Sequence, residues 1–239
     1  MKRPKKYLVG TLASLLLITA GTTFWAWRAL QDVSPFYQQA LKVEPPQLQA
    51  ESEELKNRVA RLIDETKKPK PWQTEFTDSQ INGWLAIALM AQYAERVPES
   101  LTDPRVAFED DHITLGLRYR EGKISTVITL VATPRIVDAD MLGIRLDSAH
   151  AGSLPISTSK IARKIAAGAE KMEIPLAWTE EEGSPVALFP LAAAISSVGQ
   201  RRQLETLQIE DGKLRFAGRT SLEDTTKRLA SRETETRSR

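Results

Sequence analysis

Two histidines, His112 and His150, are the only side chains of this 239-residue chain whose ordinary titration falls near neutrality. There is no cysteine, which excludes disulfides, thiolate zinc sites and cysteine nucleophiles, and with them lipid attachment through an N-terminal cysteine. His150 stands in Asp147-Ser148-Ala149-His150-Ala151-Gly152-Ser153, a loop-like stretch that offers a carboxylate, hydroxyls and an imidazole together. A hydrolytic site needs a nucleophile against the base and an acid orienting that base, an arrangement in space that adjacency does not establish. No Gly-x-Ser-x-Gly elbow is present. Asp110, Asp111 and His112, taken with Asp138 and Asp140, could supply hard oxygen donors to calcium or magnesium. Neither stretch has calcium-loop spacing, and Asp110-Asp111 reads as turn chemistry. No catalytic residue, metal or cofactor is assigned on these grounds, and the chain reads as a non-enzyme.

Two other groups of residues could recognise something without reacting with it. Pro185 to Ile195 carries no charge. With Ser184 as N-cap, Pro185 in the first turn, a kink at Pro190 and a stop at Gly199, it is expected to be a helix apolar on every side, which is either buried or faces lipid. Leu188, Phe189, Leu191 and Ile195 are then the candidate wall of a hydrophobic-ligand groove. Lys160, Arg163, Lys164 and Lys171 fall on one face of another expected helix. Such a face suits anionic headgroups or an acidic envelope polymer, or is simply the solvated side of an amphipathic helix.

The elements that would position these residues begin with an anchor. Lys2, Arg3, Lys5 and Lys6 precede a run from Tyr7 to Trp27 that has no charge, about the 20 residues needed to cross a bilayer. The positive-inside rule leaves residues 1–6 in the cytoplasm and exports the remainder, with Phe24, Trp25 and Trp27 at the outer interface. The expectation is a single-pass signal anchor over 7–28 in the cytoplasmic (inner) membrane. A signal peptide cleaved after Ile18-Thr19-Ala20 is the alternative. With 41% hydrophobic and 27% charged residues the exported part has material for a core. Its 33 basic and 31 acidic side chains nearly cancel, so nucleic acid is not an expected partner.

Residues 29–70 are expected to be a helical stalk, punctuated by Pro35, Pro45, Pro46 and Pro69, with Leu48, Leu55, Val59, Leu62 and Ile63 at helical spacing. That apolar stripe is expected to pack on the following domain, the alternative being a second copy of itself. Residues 71–220 form the exported domain. Thr77-Asp78-Ser79-Gln80 is a capping box opening a helix whose stripe is Ile81, Trp84, Leu85, Ala88 and Leu89. Alternation then predicts strands through Val106 and Phe108, through Ile113 to Tyr119, through Ile124 to Leu130 up to Pro134, and through Leu142 to Leu146. A helix follows with Ser157 or Thr158 as N-cap and Ile161, Ile165, Ala169 and Met172 on one side. Glu210-Asp211-Gly212-Lys213 predicts a closing hairpin. From Ser221 to residue 239 the composition is that of a disordered charged tail. The fold class is therefore α+β, an antiparallel meander packed with helices after one transmembrane helix and a stalk.

This order of parts resembles the YpmS-type family of bacterial membrane-anchored proteins, over about residues 72–218. The matching pieces are the anchor, Phe76-Thr77-Asp78-Ser79-Gln80-Ile81-Asn82, Ile113-Thr114-Leu115-Gly116, Gly152-Ser153-Leu154-Pro155-Ile156, and the hairpin from Ile209 to Phe216. The resemblance implies an anchored α+β exported domain and brings no catalytic residues with it. The leading functional expectation is a non-enzymatic binding module for a hydrophobic ligand, such as lipid, or for an envelope protein. A scaffold subunit of a membrane assembly and an anchored hydrolase using Asp147 and His150 are the alternatives.

Overall fold

The computed structural model describes residue 19 and residues 21–93, 95, 97–138, 140–190 and 200–222. The expected span over 7–28 falls largely outside these residues. What is described of it is helical, at residue 19 and over 21–30. Among the described residues no helix is long and apolar enough to cross a membrane.

The chain is an α+β protein with two antiparallel sheets and helices packed on them. Helix α1 (Pro35–Ala40) and helix α2 (Pro45–Thr66) precede strand β1 (Pro71–Thr77). Helix α3 (Asp78–Trp84) follows directly and continues through a π-helical turn, Leu85–Leu89, into α4 (Met90–Tyr93). Strands β2 (Leu101–Glu109), β3 (His112–Glu121), β4 (Ile124–Asp138) and β5 (Met141–Ala151) form a meander. After β6 (Leu154–Pro155) comes helix α5 (Thr158–Lys171). Strands β7 (Ala177–Glu181), β8 (Ser184–Pro190), β9 (Gln200–Glu210) and β10 (Lys213–Leu222) complete the described chain. The large sheet has the order β2-β3-β4-β5-β8-β7 with β6 paired to β5, and the small one has the order β1-β10-β9.

The helix starts are where capping chemistry puts them. Thr77 accepts from the Gln80 amide while the Gln80 side chain accepts from the Thr77 amide, so two orphan donors of the first turn are satisfied reciprocally. Ser157 caps α5. Pro45 opens α2 because proline lacks only a donor that the first turn does not use. Two-residue hairpins follow the same logic. Asp110 and Asp111 both have positive φ, 42° and 66°, between the paired Glu109 and His112, the pattern of a type I′ turn. Asp211-Gly212 also makes a two-residue turn, between the paired Glu210 and Lys213, with positive φ (72°) at Gly212 only.

Two apolar clusters hold the layers together. Val106 and Phe108 of β2 meet Ile209 and Leu214 of the small sheet, with Ile81 and Leu85 packed alongside. Ala132 and Leu146 meet Ala162 of α5, flanked by Ile144, Ile161, Ile165 and Trp178. Residues 29–66, expected as a stalk, are laid against this body. Tyr37 is completely buried, donates to the Asp103 carbonyl at 2.8 Å and lies over Gly116, where a Cβ would come within 2.6 Å of its ring. Leu48, Ser52 and Leu55 of α2 are buried, and Gly83 lets the α2 backbone approach α3 to 2.6 Å of where a Cβ would stand. Val59 and Ile63, expected on the same buried stripe, are exposed.

Four sequence expectations are corrected. The helix expected from Ser184 is strand β8 as far as Pro190, and residues 191–199 lie outside the described residues. Glu182 and Gly183 have positive φ between the paired Glu181 and Ser184. They form a hairpin turn, so Ser184-Pro185 begins a strand, and Val186-Ala187-Leu188-Phe189 fits the buried slot between β5 and β7. Pro134 does not end β4, which runs on to Asp138. β3 pairs with β4 only as far as Ala132, so Pro134 is paired on one side alone, with Ile144 of β5. Asp147–Ala151 is strand, with a bulge where Leu146 and Ser148 flank Asp147. Finally, strand continues through Ser221 to Leu222, and residues 223–239 of the expected tail are outside the described residues.

Candidate functional site

The most distinctive chemistry on the surface is on α5, and its backbone explains why. The Lys160 amide donates to the Ser157 hydroxyl at 3.4 Å, which starts the helix. Glu173, at φ 56°, ends it in the left-handed conformation while the Ile174 amide donates back to Ala169 at 2.9 Å. Between these ends Ala162 and Ala169 are buried, and Ile161 and Ile165 pack against Ile144, Leu146 and Trp178. At 100° per residue the opposite side then carries Lys160, Arg163, Lys164 and Lys171, all exposed. Among the described residues no carboxylate pairs with any of the four. The row extends about 16 Å along the helix axis at 1.5 Å per residue. The four residues thus share one outward face of α5.

The apolar stretch is arranged differently. Leu188 and Phe189 are half-buried on β8, paired across to Gly143 and Leu142 of β5. Strand alternation sends them to opposite faces of the large sheet, so the two do not line one wall. Leu191 and Ile195 lie outside the described residues.

The Asp147, Ser148 and His150 group is on one strand. Asp147 accepts from the Thr133 hydroxyl and from Arg145 Nε, each at 2.7 Å. His150 pairs through its backbone with Thr129 and Pro155, and no hydrogen bond joins its ring to Asp147 or Ser148 among the described residues. Asp110, Asp111 and His112 form the β2–β3 turn, with His112 Nδ1 on the Asp110 carbonyl at 2.5 Å. Among the described residues no three His, Asp or Glu side chains converge as metal ligands.

A feature not anticipated from sequence is a groove of about 560 Å³ between α2 and the small sheet, bordered by Arg58, Arg61, Glu65, Glu75, Gln208 and Arg215. Its cations are largely engaged. Arg58 donates to Glu54 and to the Glu75 carbonyl, and Arg215 donates to Glu75 at 2.6 Å and to Glu210 at 3.0 Å. The hydrogen bond from Arg215 holds the Glu75 carboxyl below its ordinary range. Arg58 and Arg215 are thus engaged within the protein, and the contact across the groove joins residues 140 positions apart, which no local motif could signal.

A second unanticipated feature is the joint between the N-terminal helical segment and the sheet. The Ala29 carbonyl accepts from the Ser153 amide at 2.9 Å and the Leu30 carbonyl from the Thr126 hydroxyl at 2.6 Å. Ala29 also accepts locally from the Asp32 amide at 3.3 Å, so these helix-end acceptors are shared between the closing turn and the sheet. Phe24, Trp25 and Trp27, just before them, are more than half exposed.

No protein-family model, curated protein or solved structure matches this chain.

Proposed function

We propose that the chain is a single-pass, membrane-anchored extracytoplasmic binding module, without catalysis of its own, that holds an acidic envelope partner on the outward face of α5. The observation that carries this reading is the row of Lys160, Arg163, Lys164 and Lys171, four exposed cations without a counter-ion among the described residues. The helix starts beside Ala149, through the bond from the Ile156 amide to the Ala149 carbonyl, and packs against Leu146 and Ile144 of β5. The anchor rests on the charge-free run from Tyr7 to Trp27 and the basic residues before it, and the resemblance to the YpmS-type family supports the same architecture.

The test is titration of the detergent-solubilised full chain with a soluble polycarboxylate, polyglutamate, at low and at physiological salt. Binding that weakens with salt and falls at least tenfold in Lys160→Glu/Lys164→Glu supports the reading. Equal binding by wild type and variant removes it.

The second reading, a hydrophobic ligand, is favoured by the half-burial of Leu188 and Phe189 where β8 leads into an apolar segment. Lipid that co-purifies with the chain and is lost in Leu188→Asn without a change in melting would select it.

A further inference from the structure

We infer that the turn between β3 and β4, with Lys123 and Ile124 at its tip, is a second membrane contact that rests in the outer headgroup layer beside Phe24, Trp25 and Trp27. The inference builds on the proposed anchor. Ile124 is 54% exposed at the start of an otherwise well-covered strand, an apolar side chain turned largely to solvent. Lys123 precedes it, also exposed, and can reach phosphate while its stem lies along lipid. Glu121 at the other side of the turn is occupied by the Tyr119 hydroxyl.

What ties this tip to the anchor is the joint. Helix 21–30 does not lead into a free linker: its last carbonyls are received by Ser153 and Thr126. The backbone there is so close that a Cβ on Gly152 would lie 2.1 Å from the Ala29 oxygen, and Gly152 has a φ of 60° besides. The Gly152 amide in turn donates to the Val127 carbonyl at 2.8 Å. Helix end, β5–β6 turn and the first residues of β4 are therefore one rigid unit. From Leu30 the helix descends about 4 Å to Trp27 and about 9 Å to Phe24. From Thr126 the strand extends about 7 Å to Ile124. The tip and the aromatic rings thus lie at comparable distances from the joint. Amphipathic aromatic residues favour the headgroup zone, and an exposed isoleucine flanked by lysine is suited to the same layer. Asp110-Asp111, at the opposite end of β3, is held away from it.

The absence of cysteine makes the test direct. The full chain carrying Ile124→Cys, and separately Asp111→Cys, is labelled with an environment-sensitive fluorophore. Each is reconstituted into vesicles of phosphatidylcholine and phosphatidylglycerol, 3:1, containing spin-labelled lipid. The expected result is a blue-shifted, strongly quenched label at position 124 and a water-like, unquenched one at 111. In Gly152→Val, which opens the joint, quenching at 124 should fall toward the level at 111 while the protein stays in the vesicles. Thr126→Val, a milder lesion in the same joint, should give an intermediate loss. Vesicle-bound protein with equal, water-like labels at 124 and 111 overturns the second contact and leaves the anchor standing. Failure of the full chain to enter vesicles at all overturns the anchor reading and this one with it.

Discussion

Asn82 is one polar residue in a helix, but its amide completes a strand. Its Nδ2 donates to the Val106 carbonyl at 2.9 Å and its Oδ1 accepts from the Val106 amide at 2.7 Å, both in a buried setting. β2 is an edge strand of the large sheet, so these two backbone groups have no neighbouring strand to pair with and the side chain takes that place. Asn82→Ala leaves a buried donor and a buried acceptor unpaired at about 1–3 kcal/mol each, and a loss of roughly 2–6 kcal/mol in urea unfolding is expected. An unchanged midpoint would mean that water satisfies Val106 instead. Asp78 tests electrostatics. Although it sits in the first turn of α3, where the helix favours an anion, burial pushes its carboxyl above the ordinary range, and hydrogen bonds from Ser79 only partly offset this. The folded state therefore keeps the proton to higher pH than the unfolded state. Stability from this group is full below the unfolded pKa and declines as pH rises through the raised folded value. Asp78→Asn should match wild type in melting at pH 3 and exceed it at pH 7. The reverse order would show that the helix terminus outweighs the burial.

At the scale of elements, the close approach of α2 and α3 depends on Gly83, where a Cβ would meet the Leu48 carbonyl at 2.6 Å and the Ser52 amide at 2.7 Å. Both obstacles are backbone and cannot rotate aside. Gly83→Val should separate the helices and cost roughly 1–3 kcal/mol or more, read as an earlier urea midpoint, whereas Gly168→Ala, with nothing near its Cβ, should not destabilise. What could be read in advance at this scale was whatever short-range chemistry decides. The capping box at Thr77, the cap at Ser157 and the turn residues Asp110-Asp111 and Asp211-Gly212 each act within four residues. What could not be read depends on partners far along the chain. β1 carries Pro71 and gains its strand character by pairing with β10, Trp72 opposite Gly218, at a separation that no window spans. β8 resembles a helix start because Ser-Pro serves both purposes, and only pairing with β5 and β7 decides between them. The candidate site divides in the same way. The basic face of α5 follows from helical period alone, while the joint at Gly152 and the groove beneath Arg215 are products of tertiary contact.

For the whole molecule, the folding unit reaches back to about residue 29. The domain expected from residue 71 lacks the pieces that cover it: Tyr37 over Gly116, the Ala40 carbonyl that accepts from Arg105, and Leu48 and Leu55 over α3. The Thr66 carbonyl accepts from both Arg202 and Thr220, cross-strand partners in the small sheet, so the end of α2 is fastened to β9 and β10. Fully burying one large apolar side chain contributes about 1.5–3 kcal/mol. Losing Tyr37, Leu48 and Leu55 together therefore approaches the whole 5–15 kcal/mol stability of a typical protein. Two truncations separate the possibilities. A chain beginning at residue 28 keeps every contact named here, and it should be soluble and melt in one transition at the temperature of the full chain. A chain beginning at residue 71 exposes the face that Leu48 and Leu55 cover and leaves the Arg202 and Thr220 side chains without the Thr66 carbonyl, and it should aggregate or melt far lower without a sharp transition. Ending either chain at residue 222 should change neither outcome, because the described contacts are complete by then. If the chain from residue 71 melts as sharply and as high as the one from residue 28, then residues 29–70 are a stalk that merely rests on the domain, and the rigid link between anchor and sheet has no stake in its stability.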